Sequence, residues 1–211
     1  MNGLMFYLEM AGTVAFAISG AMLAIEKRFD IFGILAMGII TAVGGGAVRD
    51  IIIGATPPVM FSDPRYCIVA AVSSVLLFIP FVRRLLAQKS IHDAVLIVVD
   101  SLGLASFTAA GAVYTYQCGF NNKFLIIFVS VLTGVGGGVL RDLLAGEKPY
   151  IFKKHIYACA SLAGAIFVTY LYNVIDNDIV IISGIALIFA IRMVAAVFKI
   201  NLPHIGQEEQ V

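Results

Sequence analysis

The sequence predicts an all-α integral membrane protein with seven transmembrane helices, and three observations lead to this fold class. Of the 211 residues, 61% are hydrophobic and 13% are charged, whereas about a quarter of the residues in a soluble domain are charged. Seven apolar stretches approach the roughly 20 residues that a helix needs to cross the hydrocarbon core. A pattern of glycine, arginine and aspartate also occurs twice, 92 residues apart.

Polar or helix-breaking residues separate the seven apolar stretches. Their predicted bounds are 4–25, 31–53, 65–82, 93–116, 123–145, 156–173 and 179–198. The first stretch has no basic residue before it and no small-residue cleavage site, so we interpret it as a retained helix and not as a signal peptide. Residues 1–202 are therefore expected to form a single transmembrane domain, and residues 203–211 a polar C-terminal tail.

The two halves of the chain match each other beyond the glycine pattern. At a constant offset of 91 residues, Glu9 matches Asp100, Phe16 matches Phe107, Gly20 matches Gly111, Ala21 matches Ala112 and Tyr66 matches Tyr157. Repeat 1 spans about 4–84 and repeat 2 about 93–174, with the helix at 179–198 left over. Because each repeat contains three spans, an odd number, the second copy must enter the membrane upside down. The sequence thus predicts two inverted three-helix repeats, a plan common in transporters.

The basic residues of the short loops predict the orientation, because cytoplasmic loops carry an excess of lysine and arginine. Arg65 and Lys123 fall on one side of the membrane. The other side is much more basic, and it holds Lys27, Arg28, Arg83, Arg84, Lys89, Lys148, Lys153, Lys154 and Lys199. We therefore expect the N-terminus outside and the C-terminus in the cytoplasm.

Each repeat carries three consecutive glycines in its middle span, and two interpretations of them stay open. The glycines are Gly44, Gly45, Gly46, Gly136, Gly137 and Gly138. Small residues let membrane helices pack closely. Three in a row also allow a helix to unwind, which membrane proteins tolerate where the backbone lines a water-filled path. Thr41, Thr133 and Ser19 could add hydroxyl groups to such a path, although hydroxyls in membrane helices often bond the preceding turn.

An Arg–Asp pair follows each glycine triplet, as Arg49–Asp50 and Arg141–Asp142. Neighbouring side chains on a helix point about 100° apart, so we expect each arginine to find its partner elsewhere. Charges inside a membrane are normally paired, and similar depths in the bilayer predict Glu9 for Arg49 and Asp100 for Arg141. Each acid could instead meet the arginine of the other repeat. These six charged residues could form fixed ion pairs that set helix register, or charged gates at the two mouths of a pore.

Other classes of function find little support. The chain has no nucleophile, metalloprotease or redox motif, so an enzyme is not expected. Its three histidines and three cysteines lack metal-ligand spacing, and no basic block suggests nucleic acid. Arg192 lies inside the last span without a counterpart in the repeats, where snorkelling to the surface and a role in a pore are equally open.

The doubled GGG-x-x-RD motif, within two three-helix repeats and a seventh helix, resembles the prokaryotic trimeric intracellular cation (TRIC) channels. The resemblance covers roughly residues 4–198. It implies a homotrimer in the plasma (inner) membrane with one pore inside each subunit, conducting mainly potassium. It also implies that the second and fifth helices frame the pore and break at their glycines. No cofactor is expected beyond a permeant potassium or sodium ion and bound membrane lipid.

Two other functions remain as alternatives. Bacterial relatives of these channels are linked to glycine uptake, so a transporter for glycine or another small amino acid is the second hypothesis. Half-helix N-termini would then face the substrate carboxylate. A structural protein without transport activity, in which the glycines serve packing alone, is the third.

Overall fold

The protein is all-helical in a computed structural model that describes residues 3–79, 88–153 and 156–200. These residues contain nine α-helices and no β-strand. The helices are α1 (Gly3–Glu26), α2 (Ile31–Ile52), α3 (Val59–Ser62), α4 (Arg65–Leu76), α5 (Lys89–Gln117), α6 (Lys123–Leu144), α7 (Tyr150–Lys153), α8 (Ile156–Leu171) and α9 (Asn177–Val197).

Five of these helices, α1, α2, α5, α6 and α9, are long and apolar enough to cross a membrane. The helices α4 and α8 are apolar but shorter, with 12 and 16 residues, so the predicted number of seven spans stays a prediction. The fourth predicted span begins four residues early, at Lys89. Residues 80–82 of the third span, the basic residues Arg83, Arg84 and Lys154, and the tail at 203–211 lie outside the described residues.

Local side-chain caps explain where three of the long helices begin. The Asp30 carboxylate accepts a hydrogen bond from the Gly33 N–H at 2.7 Å and starts α2. The Asn122 side chain accepts from the Leu125 N–H and starts α6 in the same way, and Asp176 starts α9. Such caps satisfy backbone donors that have no partner inside the helix. Asp30 and Asn122 stand 92 residues apart, so the repeat extends to the helix starts.

Two short helices, α3 and α7, were not predicted from the sequence. The Asp50 Oδ2 atom accepts a hydrogen bond from the Val59 N–H at 2.9 Å, at the start of α3. Asp142 does the same for the Tyr150 N–H at 2.8 Å, at the start of α7. The aspartates therefore fix the chain that follows each glycine-bearing helix, a tertiary contact that no local pattern indicates.

The helices α1 and α5 pack against each other in opposite directions. Gly12 of α1 lies against the ring of Phe107 of α5, and Gly103 of α5 lies against the ring of Phe16 of α1. Residue numbers rise along one helix as they fall along the other, so the two helices are antiparallel. Both phenylalanines are buried, and their ring centroids are 5.4 Å apart.

The helices α2 and α6 cross where the glycines lie. A Cβ atom on Gly45 would overlap the carbonyl oxygen of Thr133, and one on Gly137 would overlap that of Thr41. The expectation that these helices break at their glycines is wrong, because α2 and α6 are continuous through both triplets. The physical reason is close packing: without side chains the two backbones touch, and each helix keeps its hydrogen bonds.

The remaining helices cover the outside of this central group. The helix α4 packs against α1 and α2, whereas α8 packs against α5 and α6. The last helix, α9, packs against α5 and α8, where Val180 and Ile188 are fully buried. As a result α1, α2, α5 and α6 surround the interior in which the candidate functional residues lie.

Candidate functional site

Arg49 forms a buried ion pair with its neighbour in sequence. Its Nε donates to the Asp50 carboxylate at 2.8 Å, and its Nη2 lies 2.8 Å from the same oxygen. The side chains of Arg49 and Asp50 are only 5% and 1% exposed. The expectation that Arg49 finds its partner elsewhere than at the neighbouring Asp50 is therefore wrong. The arginine side chain is long enough to fold back across the 100° between them and present its planar fork to one carboxylate oxygen.

Arg141 repeats this arrangement and adds a second carboxylate. It binds Asp142 at 2.8 Å through Nε and Nη2, and its Nη1 lies 2.6 Å from Asp100. The predicted Asp100–Arg141 contact is thus confirmed. The same Nη1 donates to the Ser19 hydroxyl. Arg141 is completely buried, so its charge is balanced inside the protein and not by water.

Glu9, the counterpart of Asp100, has a different partner. Its carboxylate accepts a hydrogen bond from the Tyr66 hydroxyl at 2.5 Å, and no Glu9–Arg49 ion pair forms within the described ranges. The predicted Glu9–Arg49 contact is therefore wrong. The reason lies in the packing of α4, which brings Tyr66 to Glu9, while the Arg49 guanidinium lies over the Tyr114 ring at 4.0 Å.

The hydroxyl groups predicted to line a path have local partners. Thr41 donates to the Met37 carbonyl and Thr133 to the Val129 carbonyl, each one turn earlier in its own helix and each at 2.7 Å. Such bonds are common for threonine in membrane helices. Ser19 alone of the three reaches a charged group, Arg141. The roles of all three in a pore stay predictions.

A small cavity opens beside the Arg49–Asp50 pair, at the end of the bundle where α2 and α5 finish. Its volume is about 40 Å³, which leaves room for one or two water molecules. Glu9 and Tyr66 line it together with the ion pair, and Gly46 forms part of its floor. The cavity therefore joins acidic, basic and phenolic groups within one small space.

A larger cavity of about 240 Å³ lies beside Arg141 and Asp142. Four acidic residues and three basic ones line it, so its wall is strongly polar and of mixed charge: Glu26, Asp93, Asp142, Glu147, Lys27, Arg141 and Lys148. It opens where α1 ends and α5 begins. Along α1, Glu26 lies 17 residues after Glu9, which corresponds to about 25 Å of helix. The two cavities therefore lie at opposite ends of the same bundle.

An ion pair spans the mouth of the larger cavity. The Lys27 Nζ lies 2.5 Å from a Glu147 carboxylate oxygen and connects the α1–α2 loop to the α6–α7 loop. The hydrogen bond to Glu147 raises the pKa of Lys27 above its ordinary value. Lys27 is accordingly protonated at every physiological pH.

Between the cavities the interior is filled. Here α2 and α6 cross at Gly45 and Gly137, and the Phe16 ring lies against Gly137. Phe16 and Phe107 are 1% and 7% exposed. At this level the two helix backbones and the Phe16 ring are in contact, so the crossing lies between the two cavities.

Sequence reasoning assigned no role to the tyrosines of these sites. Tyr66 and Tyr157 were visible as a matched pair in the repeats, and that was the signal that could have pointed to them. Tyr157 is buried, and its hydroxyl faces Gly138, where a Cβ atom would lie 2.9 Å from the oxygen. Tyr114 and Tyr150 contact the two arginines through their rings, and nothing in the sequence indicated this.

The fold and the two buried ion pairs define a small, multi-pass helical membrane protein with charged groups inside its helix bundle. A family model described as a glycine transporter matches residues 6–81 and 97–173. The inner membrane protein YadS of Escherichia coli strain K12, a UPF0126 protein, is 35% identical over 208 residues, which is 98% of each chain.

Solved structures extend this similarity. A TRIC trimeric intracellular cation channel orthologue from Rhodobacter sphaeroides is 31% identical, covering 93% of this chain and 98% of that one, with a TM-score of 0.85. A prokaryotic TRIC channel studied in 0.5 M KCl is 29% identical, covering 96% and 100%, with a TM-score of 0.87. The chain belongs to this family, the prokaryotic TRIC channels, as its doubled motif predicted.

Proposed function

We propose that the protein is a channel for monovalent cations, mainly potassium, with one pore inside each subunit. The observation that carries this proposal is a pair of cavities at opposite ends of one bundle, each lined by a buried Arg–Asp pair. A route between them would run through the interior of a single chain. Relatives that cover nearly the whole chain are cation channels, which supports the same function.

The proposed route follows the symmetry of two inverted repeats. Two facts support that symmetry. The family model matches the chain twice, with starts at residues 6 and 97. Equivalent helices also meet in antiparallel pairs, α1 with α5 and α2 with α6. In this proposal seven spans put the two termini on opposite sides of the membrane, and the basic loop residues favour the C-terminus in the cytoplasm. The cavity beside Arg49 would then face outward and the one beside Arg141 inward.

In this proposal the glycines act through the absence of side chains. Because α2 and α6 are continuous helices, their carbonyl groups are already engaged in helical hydrogen bonds. A small separation of the two helices at Gly45 and Gly137 would open a passage, since no side chain of either residue fills it. The Arg49–Asp50 and Arg141–Asp142 pairs lie at its two ends, and their side chains would have to move before a cation passes, so they serve as gates.

Three further features are proposed together with conduction. Three copies of the chain assemble into a trimer, because the Rhodobacter relative is a trimeric channel. The assembly lies in the plasma (inner) membrane, like the E. coli relative. Neither a cofactor nor nucleic acid is required, whereas membrane lipid surrounds and contacts the protein.

Purified protein in liposomes tests this function. Potassium flux and uptake of labelled glycine are measured side by side, with empty liposomes as the control. We expect potassium flux of thousands of ions per second or more in each active subunit, far above the turnover of a carrier. Arg49→Ala and Arg141→Ala proteins that still fold should differ from the wild type in conductance or voltage dependence. Wild-type behaviour in both would overturn the gating role.

A carrier for glycine is the second candidate, because the matching family model bears that description. The cavity beside Arg49 offers a cation and the Glu9 carboxylate, which complement the two charges of a zwitterion. Its volume of about 40 Å³ is too small for glycine in this state, so a carrier would have to open it. Saturable glycine uptake without current would establish the carrier. The absence of both glycine uptake and potassium flux would favour a purely structural role.

A further inference from the structure

Arg192 is a buried cation that the proposed route does not use. It lies in the last third of α9 and is 5% exposed. Its guanidinium lies over the Tyr157 ring at 4.7 Å, but its Nε has no hydrogen-bond partner, and within the described ranges it forms no ion pair. An arginine at membrane depth is normally paired with an anion or in contact with water. This one therefore requires a partner that the chain's described residues do not supply.

A separate cavity of about 210 Å³ lies beside Arg192. Its walls come from α5, α8 and the end of α9, away from the helix crossing of α2 and α6. The lining consists of Arg192 and Lys199 together with the apolar residues Ile97, Ile156, Ala195, Ala196 and Ile200. Two cations thus share an otherwise apolar cavity, and the volume accommodates a phosphate group with water.

The position of the cavity in the bilayer indicates where its anion comes from. Arg192 lies five residues before the end of α9, or about 7 to 8 Å below that end. This is the depth at which lipid headgroups meet acyl chains. Val197 and Phe198, which follow it, are 74% and 70% exposed and so offer an apolar surface for acyl chains. Arginine binds phosphate oxygens through its planar fork, and Lys199 adds a second charge.

We propose that this cavity binds the phosphate of one anionic phospholipid, held by Arg192 and Lys199, with the acyl chains along the end of α9. This cavity shares no lining residue with the two cavities beside the Arg–Asp pairs. It therefore exists whether or not the protein conducts ions, and a binding measurement tests it independently of flux.

Native mass spectrometry of the full chain released from detergent micelles measures such binding. The probes are phosphatidylglycerol and phosphatidylcholine with identical acyl chains. We expect at least one phosphatidylglycerol retained per protomer and a clear preference over phosphatidylcholine. The variant Lys199→Gln, which changes an exposed residue, should weaken that binding about fivefold, since a basic residue near a lipid surface contributes about 1 kcal/mol. Arg192→Gln should weaken it more, and Arg192→Lys should restore part of it.

Lys123→Gln is the matched control, because Lys123 also lies over a tyrosine ring, that of Tyr170, at 4.0 Å. It is expected to bind phosphatidylglycerol as the wild type does. Equal retention of the two lipids, or wild-type binding by Lys199→Gln and Arg192→Gln alike, would overturn the site and leave a water-filled cavity. If inorganic phosphate displaces phosphatidylglycerol at equal concentration, the lipid is not the ligand, and that assignment is wrong.

Discussion

Two arginines in the interior of this protein are held by different numbers of carboxylates. Among the described residues, Arg141 forms ion pairs with both Asp100 and Asp142, whereas Arg49 forms one with Asp50. Taking a charge out of water is costly, and each contact with an opposite charge offsets part of that cost. Arg141 is thus the more firmly fixed of the two arginines, because a second carboxylate binds it.

Replacing Asp100 by Asn should destabilise the protein. The change leaves Arg141 with the Asp142 carboxylate and replaces its 2.6 Å contact with the Asp100 carboxylate by a contact with a neutral amide. It is expected to cost about 2 kcal/mol, because a hydrogen bond to a charged group contributes about 1.5 to 3 kcal/mol. Reversible unfolding in mixed detergent micelles measures the free energy. Asp63→Asn is the control, since Asp63 pairs with the exposed Arg65, and it should change stability little. If the two substitutions lower the free energy of unfolding equally, the buried contact of Asp100 with Arg141 contributes no more to stability than the exposed pair does.

The Lys27–Glu147 pair at the cavity mouth gives a prediction about pH. The pKa of Lys27 is raised by Glu147, so the stabilisation is fully present below the unfolded value of about 10.4 and is lost only as pH rises through the higher folded value. Lys27 therefore stays protonated between pH 6 and 9, and its titration should cause no pH dependence of potassium flux in that range. Lys27→Gln should increase flux at all these pH values, because it releases the two loops and removes a positive charge. Unchanged flux in this variant would contradict a role for the pair at the mouth.

At the level of helices, the crossing of α2 and α6 depends on individual glycines. Gly45→Ala and Gly137→Ala place a methyl group on a backbone carbonyl of the facing helix and should each cost about 1 to 3 kcal/mol, the usual cost of overpacking. Gly46→Ala is a control from the same triplet, since its Cβ would meet only the Arg49 Nη2 at 3.8 Å. It should be neutral, or stabilising by up to about 1 kcal/mol through helix propensity. Thermal stability in detergent distinguishes the three variants, and equal loss in all would contradict the crossing.

Most helix positions could be predicted from the sequence, because apolar length and polar separators are local properties. The predicted start of the span at 31 and that of the span at 123 coincide with α2 and α6. The short helix α3 could not be predicted, since the contact between Asp50 and Val59 that begins it is tertiary. Likewise, Glu9 pairs with Tyr66 and not with Arg49 because of where α4 packs. A glycine triplet is compatible with both a broken helix and close packing. The two can be told apart only from the position of the facing helix, whose backbone touches Gly45 and Gly137.

For the molecule as a whole, the orientation in the membrane can be tested with a native cysteine. Cys118 is exposed at the end of α5, on the side that the basic residues predict to be outside. With Cys67 and Cys159 replaced by alanine, a membrane-impermeant maleimide should label Cys118 in intact cells. A variant lacking all three native cysteines and carrying Glu26→Cys should react only after permeabilisation. The reverse pattern would mean that the protein is inserted the other way round.

The unequal surroundings of Glu9 and Asp100 have an electrical consequence. The two repeats supply corresponding residues, yet a tyrosine binds the acid at one end and an arginine binds it at the other. Along the proposed route, an ion entering from one side would therefore meet a different energy barrier from an ion entering from the opposite side. Under equal and opposite voltages, a single subunit should pass unequal currents, so its current–voltage curve is rectified even in identical solutions.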